Sequence, residues 1–402
     1  MTNNKYRMTD VTGMASGKKL LLTALMGALA GNASADILLG ETDDTRLYMY
    51  GLLDVGTLYQ SKVSTDGDEK LGVETSGITP SILGFKATRT LRNNWTAFFN
   101  LETHFDMDSG MFHGSGDASQ DADDGSGRTL FRRQSNIGLS SDWGMVIIGR
   151  QYGPGLLAHL ATEPRAYKEQ FSGVFTWAYS QLFNTINDAD SGAGRNANND
   201  VGIFFKNAIQ YRNNIEGLDF GIMYSAGGQE DGHQEGNIWA VGVNYAFPAL
   251  TLSGSYQVMK DQQTAETLVK HSSAGVAIPV SNITFKSNYM TTENTDSAGN
   301  SVLDLDSVSV GIDWKWGSFN SATLAYYINE ASTPTFDSAE TTTLVISNDY
   351  QLSDATTFYA QAAYVDTDDM DTVARFATSV VASPAPVDDQ TTLMNLGLNF
   401  AF

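Results

Sequence analysis

The sequence predicts an all-β protein, a closed antiparallel transmembrane β-barrel of sixteen strands. Three observations carry that prediction. Residues 36–402 divide into sixteen strand-like stretches, most of them near the ~9–11 residues a tilted strand needs to cross a bilayer. The connections between them alternate short and long, as an even-numbered barrel with both termini at one end requires. No stretch after residue 35 approaches the roughly 18 apolar residues of a membrane helix, so no helical span competes.

The first segment stands apart from the barrel. Lys18-Lys19 precede an apolar run from Leu20 to Ala30, and Ala33-Ser34-Ala35 offers an A-x-A cleavage site before Asp36. A basic flank, a short apolar core and a small-residue site make residues 1–35 a secretory signal peptide. Residues 36–402 are the barrel, expected to begin at Asp36.

In chain order the strands are expected over 45–60, 81–91, 95–105, 129–140, 145–152, 202–212 and 218–226. The second half supplies 238–247, 250–260, 270–279, 283–292, 305–316, 321–330, 341–352, 356–366 and 391–402. Short connections such as 92–94, 141–144, 248–249 and 317–320 carry Gly, Asn, Asp or Pro, the residues of tight turns. Long ones run over 61–80, 106–128, 153–201, 227–237, 261–269, 293–304, 331–340 and 367–390. Strand faces alternate. In the last strand Met394, Leu396, Leu398, Phe400 and Phe402 interleave with Asn395, Gly397, Asn399 and Ala401, one row suited to lipid and the other to a wet lumen. Tyr48, Tyr59, Trp95, Trp143, Phe247 and Trp316 fall near strand ends, where interfacial aromatic girdles sit. Pairing the first strand with the last would close the sheet and remove its edges.

Composition excludes several function classes. The chain has 24 Lys+Arg against 46 Asp+Glu, a formal net charge of −22, and no cysteine. Residues 1–35 carry a net +3, so their removal leaves −25. Such a chain has no basic face to displace counterions from a polyphosphate, which argues against nucleic acid as a partner. With no disulfide, the fold must rest on hydrogen bonding and burial. His104, His113, His159, His233 and His271 share no metal-ligand spacing, and neither G-x-S-x-G nor H-E-x-x-H occurs. No enzyme, metal or cofactor is expected. Asp117, Asp121, Asp123 and Asp124 cluster in a long connection but break the order of a calcium loop. They read as solvated acids, or as divalent bridges to lipopolysaccharide.

The most specific stretch runs from Leu130 to Pro154. Its first strand holds Arg133-Gln134 and Gly138-Leu139-Ser140, a turn follows at Ser141-Asp142-Trp143-Gly144, and the tail is Gly149-Arg150-Gln151-Tyr152. This unit resembles the strand 4–turn–strand 5 region of the general porins of Gram-negative outer membranes. Tyr50-Gly51-Leu52-Leu53-Asp54, Leu83-Gly84-Phe85-Lys86, Asn207–Asn213 and the aromatic-ended last strand extend the resemblance over the whole of 36–402. It implies an outer-membrane homotrimer of sixteen-stranded barrels, surrounded by lipid and lipopolysaccharide. A long third loop, residues 153–201, would fold inward to form the constriction. It also implies that Phe402 and Phe400 form the signal read by the barrel-assembly machinery.

The resemblance further implies a basic wall facing loop carboxylates. Strand parity puts Lys86, Arg133, Lys206 and Arg212 on the lumen face, with Arg150 at the loop's base and Asp54 inward in the first strand. Glu163 and Glu169 are the candidate constriction acids. Ile82 stands where the family usually has a wall arginine, and the family's P-E-F-G-G loop segment is missing. The expected function is passive diffusion of small hydrophilic solutes and ions. A mild cation preference is expected, set by vestibule acids Asp66, Asp68, Glu69, Asp368, Asp369 and Asp371 against that weakened wall. A substrate-specific sugar porin is the alternative, because Phe171, Phe175, Trp177, Tyr179 and Phe183 could stack on sugar rings or simply pin the loop.

Overall fold

The computed structural model describes residues 36–63, 66–112, 129–173, 177, 180, 196–200, 202–228, 234–334, 336–368 and 389–402. Residues 1–35, the expected signal peptide, lie outside them, as do Asp117, Asp121, Asp123, Asp124, Asp188, Asp190, Asp369 and Asp371.

Sixteen long strands form the wall. They are β1 (Thr45–Gln60), β2 (Ile82–Thr90), β3 (Thr96–His104), β4 (Gln134–Ser141), β5 (Gly144–Tyr152), β6 (Phe204–Ile215), β7 (Leu218–Ser225) and β8 (Ile238–Ala246). The second half adds β9 (Thr251–Lys260), β10 (Thr267–Val280), β11 (Ile283–Thr295), β12 (Ser301–Trp316), β13 (Asn320–Thr333), β14 (Phe336–Ser353), β15 (Thr356–Thr367) and β16 (Gln390–Ala401). Sequential neighbours pair antiparallel, and β5 pairs β6 across the long intervening segment, from Met145↔Arg212 to Tyr152↔Phe204. Closure comes from β16 against β1, from Leu393↔Gln60 to Ala401↔Leu52. Phe402 continues that ladder, exchanging backbone bonds with Gly51 at 2.7 and 3.0 Å. The sheet has no free edge around its girth.

Short-turn chemistry sets the registers at one end. Between β6 and β7, Glu216 and Gly217 both take positive φ, at 49° and 91°, the two-residue hairpin geometry that matches strand twist. Between β4 and β5, Ser141 pairs directly with Gly144. Gly144 sits at φ +111°, and a Cβ there would lie 2.6 Å from the Arg212 carbonyl oxygen. Only glycine fits that corner.

Three short strands add to the expected pattern. Ile37–Glu41 pairs with the start of β1, and Lys70–Thr75 pairs with its far half, from Val55↔Thr75 to Gln60↔Lys70, beyond the reach of β2. Asn199–Asp200 pairs with the beginning of β6. The second-half strands also run further than expected. The connection expected over 331–340 shrinks to a turn between Thr333 and Phe336, and that expected over 293–304 to the stretch between Thr295 and Ser301.

The reason is visible in β12. Val308 and Val310 are exposed with Ser307 and Ser309 behind them, a lipid-facing pattern. Two residues earlier the chemistry inverts: Asp304 and Asp306 point out, while Leu303 and Leu305 are buried inside. Hydrocarbon accepts only the first arrangement; water accepts the second. Strands therefore continue past the membrane as a ribbon of soluble type, with apolar cores inside. One core joins Leu303, Leu305 and Met290 to Tyr167 and Trp177; another joins Tyr327, Val345 and Val365 to Phe171.

Candidate functional site: the barrel interior

The segment leaving β5 lies directly against the wall. Pro154 starts a short helix, α1 (Pro154–Ala158), at the position where its missing N–H costs nothing. Gly242 of β8 makes room for it, since a Cβ there would sit 2.0 Å from the Pro154 carbonyl oxygen. Next comes His159, fully buried, with Nδ1 2.8 Å from Ser253 Oγ of β9 and Nε2 2.6 Å from Ser273 Oγ of β10. Thr162 Oγ1 joins Ser253 Oγ at 2.6 Å.

Glu163 organises the following turn. Its Oε2 accepts from the Arg165 and Tyr167 backbone N–H groups at 2.8 and 2.7 Å, and its Oε1 accepts from Tyr327 Oη of β13 at 2.6 Å. Ala166 and Tyr167 take φ of 53° and 58° inside that turn, a conformation L-residues hold only when tied down. Arg165 is buried and donates to Gln361 Oε1 of β15 at 2.6 Å. Lys168 pairs with Asp349 of β14 at 2.8 Å. Further on, Trp177 donates to the Thr291 carbonyl at 3.1 Å and lies 4.4 Å, centroid to centroid, from the His271 ring. Ser180 Oγ meets His271 Nε2 at 3.0 Å.

A second inner segment is held by Asp54. Its carboxylate, fully buried, accepts from the backbone N–H groups of Gly77, Ile78 and Thr79 at 2.7, 3.3 and 3.2 Å. It also accepts from Tyr359 Oη at 2.8 Å and Asn399 Nδ2 at 3.1 Å. The two inner segments touch, because the Glu169 and Gln170 amides donate to the Ile78 and Gly77 carbonyls, each at 3.3 Å.

Charges on the inner face stand in mixed pairs. Arg133 bonds Glu102 at 2.6 Å, and Tyr50 Oη and Gln134 Nε2 donate to the same carboxylate at 2.9 and 3.3 Å. Lys86 pairs with Asp36 at 2.7 Å, Arg212 with Asp219 at 3.1 Å and Lys286 with Asp313 at 2.8 Å. The expected residues are thus distributed rather than gathered. Lys86, Arg133 and Arg212 carry wall pairs, whereas Asp54 and Glu163 are enclosed by donors. Glu169 is half-buried beside the second segment. Lys206 departs from the lumen parity expected of it, and Arg150, expected at the base of the loop, lies beside it. Both line a cavity of ≈ 1080 Å³ shared with Ile148 and Ile209, which belong to the exposed apolar face. The register shift between Gly149 and Gln151, and Asn207 at φ 49°, break the alternation there. Glu102, Asp313, Asp349 and Lys286 were missed as partners. Their signal was a charge at an inward strand position, which parity alone could have flagged. Of the candidate sugar-stacking aromatics, Phe171 and Trp177 are buried in wall contacts. Phe175, Tyr179 and Phe183 lie outside the described residues.

A family model described as Gram-negative porin matches residues 22–370. The outer membrane porin protein 32 of Delftia acidovorans is 28% identical over 137 residues, covering 34% of this chain and 32% of that protein, so the matched stretch spans about a third of that relative. Among solved structures, the anion-selective porin from Comamonas acidovorans superposes with a TM-score of 0.71 at 21% identity, over 89% of this chain and 100% of that one. OmpT of Vibrio cholerae gives 0.62 at 15%, over 91% and 100%. OmpF of Salmonella typhi gives 0.60 at 14%, over 91% and 100%.

The expected cation preference is corrected here, because that anion-selective neighbour runs against it. The physical reason is where the charges lie. The acids invoked, such as Asp66, Asp68 and Glu69, sit in an exposed outer loop, where salt screens them beyond ~8–10 Å. The inner face, by contrast, is a ladder of balanced pairs rather than a basic wall weakened by Ile82. A closed sixteen-strand wall, an apolar outer belt, a charged interior and a matching family model lead to one conclusion: the chain belongs to the Gram-negative porin family, proteins of the outer membrane.

Proposed function

We propose that the protein is a diffusion channel for small hydrophilic solutes and ions in which segment 153–201 forms the constriction, and that it prefers anions. One observation carries the reading. The inner segments are fastened to a polar, charge-bearing wall by contacts from at least five strands, β9, β10, β13, β14 and β15. A segment so fixed gives a narrow zone of defined shape. The anion preference follows the anion-selective porin from Comamonas acidovorans, and the state of the interior acids supports it. Asp54, Glu102 and Glu163 are buried with their oxygens engaged by protein donors, so they offer little to a passing cation. The assembly is proposed to be a homotrimer, by analogy with the trimer form of Vibrio cholerae OmpT.

Reversal potentials of the purified protein in planar bilayers under a KCl gradient test the reading. The expected sign is that of chloride preference, retained as total salt is raised because the deciding charges lie in the narrow zone. A potassium-selective potential would overturn the anion assignment. An absence of conductance would overturn the channel itself.

A further inference from the structure

Two histidines hold the inner segment from opposite sides. His159 belongs to the segment and reaches out to the wall, with Ser253 of β9 at one ring nitrogen and Ser273 of β10 at the other. His271 belongs to the wall, on β10, and reaches in. Its Nε2 meets Ser180, its Nδ1 lies 3.2 Å from Gln257 Nε2, and Trp177 lies across its ring. Both imidazoles are fully buried. We propose that His159 and His271 form a proton-sensitive latch that holds residues 153–173, with Trp177 and Ser180, on the wall while both rings are neutral and releases them when they are protonated. This rests on the reading of that segment as the constriction.

The surroundings of each ring favour the neutral form. His159 is faced by Thr162 on its own segment, Ser253 and Ser273 on the wall, and the amide of Asn288 on β11, which, turned to its better-bonded orientation, serves Thr162 and the Glu163 N–H. The acid beside it, Glu163, is already engaged by Arg165, Tyr167 and Tyr327. Charged wall groups on neighbouring strands are committed elsewhere: Lys286 to Asp313, and Lys168 of the segment to Asp349. His271 is faced by Ser180, Trp177 and Gln257, with Thr292 bonded to the same Ser180. Its neighbours Lys270 and Glu293 pair with one another at exposed positions of β10 and β11. Among the described residues, no carboxylate contacts either ring. An imidazolium there would be a buried charge without a counter-ion.

A neutral ring also fits the hydroxyl chain. Thr162 can donate to Ser253, Ser253 to Nδ1, and Nε2–H to Ser273, each distance being 2.6–2.8 Å. Adding a proton at Nδ1 turns an acceptor into a donor and reverses that chain. Burial pushes the His159 pKa down from the ordinary 6.5 to about 4. For a base with a lowered pKa the docked state is fully favoured above about 6.5 and loses that advantage as pH falls toward about 4. Each pH unit in that window weakens docking roughly tenfold through His159 alone.

The test is the fraction of time single channels spend outside their main conductance level, read in planar bilayers from pH 7 to pH 4.5. The wild type is expected to show a rise well above the roughly 100-fold that His159 alone gives over two pH units, and His159→Gln or His271→Gln a clearly smaller one. The double variant is expected to be flat. Should one single variant fail to assemble, the other carries the comparison. A flat wild type, or a pH response retained in the double variant, overturns the latch. Conductance at pH 7 in the same bilayers reports on the channel reading separately, so the two can fail independently.

Discussion

Replacing Glu163 by alanine is expected to free the inner segment while leaving the barrel wall standing. The substitution strips the acceptor from the Arg165 and Tyr167 backbone N–H groups and from Tyr327 Oη. Each buried donor left unmade costs about 1–3 kcal/mol, so the turn loses on the order of 4 kcal/mol. The positive-φ pair Ala166 and Tyr167 then has nothing holding it, and its strain favours release. Hydrogen exchange of residues 163–170 should accelerate by two to three orders of magnitude, roughly the Boltzmann factor of that loss. Strand amides of β9 to β15 should keep their protection, because the wall ladder is closed without the segment. Glu163→Gln should fall between, since one carboxamide oxygen replaces two carboxylate oxygens. Unchanged protection of the turn in Glu163→Ala would show that the carboxylate is not what fixes it.

The second large effect is expected at Arg133. Its guanidinium is bonded to Glu102 at 2.6 Å and to Tyr152 Oη, with both ionic partners almost wholly out of water. Removing one member of a buried pair leaves an uncompensated charge and typically costs about 3–5 kcal/mol. Arg133→Ala should lower the thermal transition of the purified barrel accordingly. The double variant Arg133→Ala/Glu102→Gln should regain a good part of the loss, since a neutral amide no longer needs a counter-ion. A double-mutant cycle settles it. If the second substitution restores nothing, lost packing against the Tyr152 and Phe204 rings, at 5.5 and 5.1 Å, is the larger cause.

Much of the wall was legible from sequence, and for a definite reason. Lipid on one side and polar groups on the other force a period of two, so parity assigned Met394 and Leu396 outward and Asn395 inward. The same rule put Lys86, Arg133 and Arg212 inside, where their ion pairs are. It failed at Lys206, because the irregular pairing between Gly149 and Gln151 and the positive φ of Asn207 break the alternation there. It also cut strands short: β12, expected from residue 305, begins at Ser301 and so runs on past the point where the outer chemistry inverts at Asp306. The roles of Asp54 and Glu163 were beyond its reach. Both were read as acids facing a pore, yet what defines them is their donors. Tyr359 lies three hundred residues from Asp54 in the chain, and Tyr327 more than one hundred and sixty from Glu163. Such meetings depend on which strands become neighbours across the barrel, not on local pattern.

The seam between β16 and β1 has a kinetic consequence. Its paired residues are more than three hundred positions apart, whereas most other wall pairings join adjacent hairpin strands. Loop-closure entropy grows only as the logarithm of length, so closing this seam costs about 4 kcal/mol more than closing a tight turn. Nine register pairs from Leu393 to Ala401 offset that readily at equilibrium. The search is another matter, since such a contact is rewarded only after the intervening chain is in place. The curved sheet is therefore expected to exist first as an open ribbon with two unpaired edges, and the time it spends in that state is its window for pairing with the wrong chain.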